Sequence, residues 1–250
     1  ADFLPCSYGF RPRRSATDAL EALRRGAVHG EGNHVLDADI RDFFGQIDPD
    51  RLMERVSLRV SDRRVLKLLR QWLRAGVMEE GSVRHSSLGT PQGGVISPLM
   101  SNILLTPFDR EMRRRGFRVT RYADDWVATC KSRQEAKAAL AAAERILEQL
   151  GVTLHAGKTR IVHVRQGFEF LGYKIKRGQR PLRLSAEKIR SKVCHGDLYA
   201  FPRAKSIQHF KDQIRRRTRR KAPVSTQELI EQINPVIRGW GLYFCKAHVR

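Results

Sequence analysis

Two short apolar runs, residues 117–122 and 126–131, flank the three residues Ala123-Asp124-Asp125. Apolar runs of this length on either side of a few turn-forming residues predict a β-hairpin with the acids at its tip. This feature limits the fold most, because an isolated hairpin is only marginally stable and needs a larger sheet and a core around it. Asp-Asp in a turn is by itself ordinary turn chemistry, since aspartate tolerates the left-handed region and caps its own backbone.

Another apolar run, residues 34–40, predicts a further strand and contains Asp37 and Asp39. A carboxylate in an apolar strand is costly to bury without a partner or a metal ion. Asp39, near the end of this strand, is therefore a candidate metal ligand. If this strand lies beside the hairpin, Asp39 meets Asp124 and Asp125 although they are far apart in the chain.

The remaining periodicities predict an α+β domain at 1–180, followed by an all-α domain at 181–250. Helices are expected in the first domain at 15–28, 49–60, 62–75, 98–115 and 133–150. A hairpin is expected over 77–88, and two more strands at 159–164 and 168–176. The second domain is expected to contain helices at 185–200, 205–220 and 226–250.

The chain carries 48 Lys and Arg against 26 Asp and Glu, a formal net charge of +22. A chain so basic repels itself unless it meets a polyanion, and phosphate backbones are the commonest such partner. Charge alone leaves open a ribosomal or chromatin-like protein without catalysis. The densest basic run predicts phosphate contacts, with a solvated helix face as the alternative. It comprises Arg215, Arg216, Arg217, Arg219, Arg220 and Lys221.

No apolar run is long enough for a membrane helix, and the first residues lack the pattern of a signal peptide. The four cysteines are far apart and form no pair typical of a zinc site. We therefore expect free thiols, no membrane partner and a reducing compartment, the cytoplasm in a bacterium or an organelle in a eukaryote.

The hairpin tip, Tyr122-Ala123-Asp124-Asp125, matches the Y-x-D-D box of reverse transcriptases, in the Y-A-D-D form typical of group II intron enzymes. Further blocks resemble that family in its own order: Ser7 to Pro12 (fingers), Asp39 to Phe44 (motif A), Gly89 to Leu99 (motif B), Gly151 to Thr159 (motif D), Phe170 to Tyr173 (primer grip) and Ile233 to Phe244 (maturase-specific thumb). The resemblance covers nearly the whole chain.

This resemblance implies a right-hand polymerase: a palm with an antiparallel sheet and packed helices, partial fingers and an all-α thumb. The family's first fingers block and its C-terminal DNA-binding or endonuclease regions have no counterpart in the sequence. We therefore expect a truncated reading frame or a processed fragment.

The resemblance also implies a two-metal site for nucleotidyl transfer. Asp39 and Asp124 would be the main metal ligands, Asp125 the third acid, and the carbonyl of Ile40 a further ligand. The expected cofactor is Mg²⁺, as two ions, because Mg²⁺ prefers oxygen ligands. Mn²⁺ is a possible substitute.

The nucleotide contacts are implied in the same way. Phe44 would be the steric gate that favours dNTPs over rNTPs, and Gln92 and Gly93 would approach the nascent base pair. Lys158 would lie near the triphosphate, although a plain surface lysine fits the sequence equally well.

Primer and template contacts complete the expected site. Leu171, Gly172 and Tyr173 would grip the primer, while Tyr173 fits a core position equally well. Arg11 joins the basic run in the set expected to bind nucleic acid.

The expected function is RNA-directed DNA polymerase, which extends a DNA primer with dNTPs on an RNA template, together with binding of group II intron RNA and assistance to splicing. The alternative is an RNA-binding maturase with weak or no polymerase activity. The three intact acids favour the first. An RNA-dependent RNA polymerase is disfavoured by the bulky Phe44, because enzymes that use rNTPs need room for the 2′-hydroxyl.

Overall fold

The computed structural model describes residues 3–29, 32–74, 77–79, 82–84, 96–178, 198–218 and 225–245. The chain divides into two compact units, residues 1–163 and 164–250. This division follows the packing of the chain and lies before residue 180, where we placed a boundary on the change in composition. The boundary at 180 stays a prediction.

The first unit alternates helices with short strands. Its helices are α1 (Ala16–His29), α2 (Phe43–Gln46), α3 (Pro49–Ser57), α4 (Arg63–Arg74), α5 (Ser97–Arg114) and α6 (Arg133–Gln149). Its strands are β1 (His34–Ala38), β2 (Val77–Glu79), β3 (Ser82–Arg84), β4 (Arg118–Tyr122), β5 (Asp125–Cys130) and β6 (Arg160–His163). The predicted elements of this unit are confirmed, apart from shifts of a few residues at their ends.

Polar side chains fix where α1 and α3 begin. The Asp48 carboxylate accepts a hydrogen bond from the backbone N–H of Asp50 at 2.9 Å, and Pro49 opens α3. Such caps satisfy N–H groups that the first helical turn leaves without partners. The predicted capping box before α1 is also present, because the Asp18 N–H donates to Ser15 Oγ and the Ser15 N–H donates to the Asp18 carboxylate.

A four-stranded antiparallel sheet in the order β4-β5-β1-β6 forms the centre of the first unit. One face carries Leu36 and Ala38 of β1 beside Trp126 and Ala128 of β5, all part of the main core. Helices α5 and α6 cover this face, while α1 packs against β4 and β5 and contributes Leu20 and other buried residues outside that core. Burial of both faces explains why apolar residues occupy consecutive positions in β1 and β5, namely Val35-Leu36 and Trp126-Val127-Ala128.

The second unit combines a three-stranded antiparallel sheet with two helices. The strands are β7 (Phe168–Phe170), β8 (Tyr173–Arg177) and β9 (Leu198–Pro202), in the order β7-β8-β9. The helices α7 (Ala204–Arg217) and α8 (Thr226–Tyr243) pack together, with the rings of Phe210 and Trp240 4.8 Å apart.

Two predictions about this unit are wrong. The single strand expected at 168–176 is a hairpin, because Leu171 and Gly172 both have positive φ, 49° and 75°, as type I′ turns require. The helix expected at 185–200 ends in strand β9, since residues 198–200 pair with β8; its earlier part, 185–197, lies outside the described residues. The α+β class is confirmed, but the region after residue 180 is not all helical.

None of the helices in the described part of the chain is long and apolar enough to cross a membrane.

Candidate active site

Strand register brings the predicted acids to one end of the sheet. Strand β1 pairs with β5 so that Asp37 lies opposite Val127 and Ala38 opposite Trp126. Continued by one residue, this register places Asp39 opposite Asp125. Side chains alternate along a strand, so both carboxylates emerge on the face opposite Leu36 and Ala38.

The hairpin turn consists of Ala123 and Asp124, since Tyr122 pairs directly with Asp125. Ala123 has a φ of 58°, a conformation that costs a non-glycine residue energy. Asp124 is half-buried in this turn. Burial raises the pKa of the Asp124 carboxyl, and the charge of Asp39 raises it further, while a backbone hydrogen bond and Arg121 oppose the shift. Asp39 and Asp124 therefore interact as like charges.

The segment after α6 docks on the end of β1 and continues the sheet beyond it. Ile40 and Leu154 form an isolated antiparallel bridge, in which the Arg41 N–H donates to the Thr153 carbonyl and the His155 N–H donates to the Asp39 carbonyl, both at 2.8 Å. The Ile40 carbonyl takes part in neither bond. It lies next to Asp39 in the chain, and its role as a metal ligand stays a prediction.

Lys158 reaches Asp39 from this docked segment. Its Nζ atom lies 2.7 Å from Asp39 Oδ2, and the two side chains are 64% and 38% exposed. The hydrogen bond to Asp39 and the charge of that carboxylate raise the pKa of Lys158. Lys158, which was predicted to lie near the triphosphate, is thus a direct neighbour of Asp39, which was predicted to bind the metal.

Phe44 lies in the first turn of α2, a few residues after Asp39 in the sequence. Its ring makes an edge contact with Phe43 at 5.2 Å, and while Phe43 is buried in the core, Phe44 packs only partly against it. The partly exposed ring is compatible with a sugar contact. Its role as a steric gate stays a prediction.

The Leu171-Gly172 turn is tied to the end of α8 within the second unit. Tyr243 Oη donates to the Leu171 carbonyl at 2.9 Å, and Ser206 Oγ donates to the Gly172 carbonyl at 3.1 Å. Tyr173 is fully buried and its hydroxyl donates to the Tyr243 carbonyl. This favours the core position for the Tyr173 ring, and the primer contacts of Leu171, Gly172 and Tyr173 stay a prediction.

The residues predicted to contact nucleic acid or the nascent base pair fall into three groups. Arg11 makes internal contacts, because its Nη1 atom donates to the carbonyls of Leu4 and Ser7 at 2.6 Å. The described part of the basic run forms the last turn of α7, where Arg215 pairs with Asp212 and Arg217 folds back onto Gln213. The remaining predicted residues lie outside the described part of the chain: Gln92, Gly93, Arg219, Arg220 and Lys221.

Arg121 was not predicted as a functional residue. It is fully buried in β4 and makes an ion pair with the equally buried Asp109 of α5, with Nη2 to Oδ2 at 2.6 Å. An arginine inside an apolar strand was the one available signal, for the same reason that singled out Asp39: a buried charge needs a partner.

The donor set fits Mg²⁺. Among the described residues no three His, Cys, Asp or Glu side chains lie close enough together to form a ready-made metal cluster. Mg²⁺ does not need one, because it is commonly bound by one or two carboxylates with water and substrate phosphates. Asp39 and Asp124 provide such a pair, and a cation between them would relieve their repulsion.

Two family models match the chain. Residues 2–175 match the model described as "Reverse transcriptase (RNA-dependent DNA polymerase)", and residues 207–250 match "Group II intron, maturase-specific domain". These matches confirm the resemblance on which the residue roles were predicted.

Similar proteins carry related names. "Protein YkfC" of Escherichia coli (strain K12) is 33% identical over 213 residues, which cover 70% of this chain and 56% of that protein. "Group II intron-encoded protein LtrA" of Lactococcus lactis subsp. cremoris is 35% identical over 108 residues, 43% of this chain and 18% of that protein. The chain thus spans little more than half the length of the first relative and less than a fifth of the second.

Solved structures with the same fold include telomerases. The telomerase of Candida albicans in complex with a fragment of telomeric RNA has a TM-score of 0.56 at 13% identity, over 96% of this chain and 45% of that one. Apo telomerase of Candida tropicalis has a TM-score of 0.53 at 12% identity, over 68% and 36%. At these identities the likeness shows the fold alone.

Residues 207–250 match the maturase-specific domain of group II introns, and because the first family model covers more than half of the residues, the chain belongs to the reverse transcriptase (RNA-dependent DNA polymerase) family.

Proposed function

We propose that the chain is an RNA-directed DNA polymerase of the group II intron type, which extends a DNA primer with dNTPs on an RNA template. The observation that supports this most is the meeting of Asp39 and Asp124, two acids from distant parts of the chain, at one end of the central sheet. Placing two like charges close together costs free energy, and a divalent cation bound between them would offset that cost.

In this proposal Asp39 and Asp124 hold two Mg²⁺ ions, with Asp125 as the third acid and the Ile40 carbonyl as a further ligand. When bound, the ions would activate the primer 3′-hydroxyl and neutralise charge on the transferred phosphate. The chain's own contribution is a rigid frame, because Asp39 is fixed by the bridge at Ile40 and Asp124 by the hairpin.

Substrate choice is assigned to the residues around the acids. The partly exposed Phe44 ring would pack against the sugar of the incoming nucleotide and exclude a 2′-hydroxyl. Lys158, whose ammonium already lies at Asp39, would neutralise the triphosphate and is positioned to give a proton to the leaving pyrophosphate. Gln92 and Gly93 are proposed to contact the nascent base pair.

Primer extension tests the proposal. The chain is incubated with poly(rA)/oligo(dT), dTTP and Mg²⁺, and the expected result is extension that Asp124→Ala abolishes. Glu144→Ala, which removes an exposed carboxylate from α6, is the matched control and should extend as wild type does. Extension by Asp124→Ala at the wild-type rate would refute the assignment of the acids.

A role in RNA binding and splicing is the second candidate, supported by the maturase-specific match at residues 207–250. The ligand in this case is group II intron RNA, and the compartment is the one that holds the transcript, the cytoplasm in a bacterium. Neutralising the basic run 215–221 should flatten the dependence of RNA affinity on salt by about 0.7 in log–log slope for each single-strand phosphate that the variant no longer neutralises. Arg24 and Arg25, exposed or half-exposed on α1, are the control pair.

RNA binding without primer extension by the wild-type chain would favour the second candidate over the first. An unchanged salt dependence after neutralisation would identify the run as a solvated helix face.

A further inference from the structure

The guanidinium of Arg121 is buried with every donor used. Nε donates to Asp109 Oδ1 at 2.8 Å, and Nη2 donates to Asp109 Oδ2 at 2.6 Å and to Ser7 Oγ at 3.0 Å. Nη1 donates to Asn102 Oδ1 at 2.9 Å and to the Ala123 carbonyl at 2.7 Å. A guanidinium has five N–H donors in a fixed planar fork, and all five have acceptors here.

These acceptors come from three separate parts of the first unit. Ser7 belongs to the segment before α1, Asn102 and Asp109 belong to α5, and Ala123 is in the hairpin turn. The backbone of Arg121 adds two bonds to the same first segment, from its own N–H to the Cys6 carbonyl and from the Tyr8 N–H to its carbonyl, at 2.9 and 2.8 Å. One residue thus joins three segments directly behind the turn.

The bond to Ala123 bears on the acid that follows it. The Ala123 carbonyl belongs to the peptide group that leads into Asp124, so this bond fixes the plane of that peptide. Ala123 has a φ of 58°, where an alanine stays only if its surroundings hold it. Asn102 supports the same region, because its Nδ2 atom donates at 2.8 Å to the carbonyl of Gly9, which packs against the Ala123 backbone.

We propose that Arg121 is a positioning residue of the polymerase site, which holds the Ala123–Asp124 turn in the shape that gives Asp124 its metal affinity. The inference rests on the proposed function, because it takes Asp124 as a ligand. A lysine cannot replace the arginine, since it has three donors on a compact head and cannot reproduce the planar fork.

Metal binding is measured without turnover, by titrating the chain with Mn²⁺ and following the electron paramagnetic resonance signal of the free ion. Arg121→Lys keeps the charge and is expected to weaken Mn²⁺ binding by about tenfold or more, the loss typical of partners that orient metal ligands. The Mg²⁺ concentration for half-maximal primer extension should rise by a similar factor. Arg118→Lys, an exposed arginine on the same strand, should change neither value.

A merely structural role is separated by a variant that destabilises the same unit elsewhere. Val56→Ala opens a cavity in the core at α3, and it should lower the unfolding midpoint while leaving Mn²⁺ affinity as in wild type. If Arg121→Lys does not fold, Asp109→Asn decides the question, since it keeps the volume but has only one oxygen to accept from the guanidinium, and weaker Mn²⁺ binding is again expected.

A folded Arg121→Lys chain, or failing that a folded Asp109→Asn chain, that binds Mn²⁺ within twofold of wild type would overturn the positioning role. The wild-type and Asp124→Ala chains test the proposed function separately. If Asp124→Ala binds Mn²⁺ as well as wild type does, the metal site itself is wrong. If binding depends on Asp124 but not on Arg121, only the positioning role fails.

Discussion

Replacing Gly9 with alanine should disturb the Ala123–Asp124 turn, because Gly9 packs against the backbone of that turn. A Cβ atom at Gly9 would lie 2.4 Å from the Ala123 nitrogen and 3.0 Å from the Tyr122 carbonyl carbon. Both atoms belong to the backbone, so neither can move out of the way by a change of rotamer. Forcing extra volume into such a contact costs about 1–3 kcal/mol.

Gly26 offers the matched substitution, because it lies inside α1 and a Cβ atom there would meet nothing within 4 Å. Alanine in a helix is favoured over glycine by roughly 0.5–1 kcal/mol. Gly9→Ala and Gly26→Ala therefore make the same chemical change in the same unit, but they should change the free energy of unfolding in opposite directions.

Thermal unfolding followed by circular dichroism measures both variants. In a domain of this size a change of 1 kcal/mol moves the midpoint by about 2–4 °C. Gly9→Ala should therefore lower the midpoint by several degrees and Gly26→Ala should raise it slightly. If Gly9→Ala is as stable as Gly26→Ala, the segment around Gly9 does not pack on the turn and the description of that contact is wrong.

Three further substitutions test individual contacts. Asp124→Asn should abolish primer extension yet raise the unfolding midpoint at pH 7, because the raised pKa of the Asp124 carboxyl means that folding disfavours its charge. This increase in the midpoint should vanish as the pH falls below the ordinary aspartate pKa of 3.8, where the carboxyl is protonated in both states. Trp126→Phe should stay within about 1 kcal/mol of wild type in urea unfolding, because the buried Nε1 donor that it removes has no acceptor among the described residues and its removal offsets the lost ring volume; a larger loss would mean that the donor is satisfied. Tyr173→Phe should lower the free energy of unfolding by about 1 kcal/mol, the net value of its hydrogen bond to the Tyr243 carbonyl. An unchanged free energy of unfolding would mean that this hydrogen bond does not stabilise the fold.

Elements with a clear local signal could be predicted from the sequence. The hairpin at Ala123-Asp124 and the strand before Asp39 show short apolar runs with acids at their ends, and both are present. Asp18 also follows Ser15 at the spacing of a capping box, which the structure contains. These signals lie within a few residues of each other, so they need no knowledge of distant partners.

Elements that depend on distant partners could not be predicted in this way. Leu171 occupies a turn position that normally selects glycine or asparagine, and contacts from Tyr243 and Ser206 support that turn. The segment expected to be helical ends in Leu198, Tyr199 and Ala200, which pair with β8, because strand pairing overrides a weak local preference.

The same limit applies to the site. Lys158 meets Asp39 only because the chain around Leu154 docks beside Ile40. Arg121 was missed because the residues that neutralise and orient its guanidinium lie on α5 and before α1, and no local spacing connects them.

The central position of β1 has a consequence for how this sequence can vary. A shift of β1 by one residue would turn Leu36 and Ala38 away from the core and move Asp39 to the other face of the sheet. The pairing that buries the apolar side chains is thus the pairing that presents the acid. Selection for a chain that folds and selection for an intact site therefore act on the same strand pairing. The site can be lost through a substitution of an acid, but not through a shift in register of a sheet that still folds.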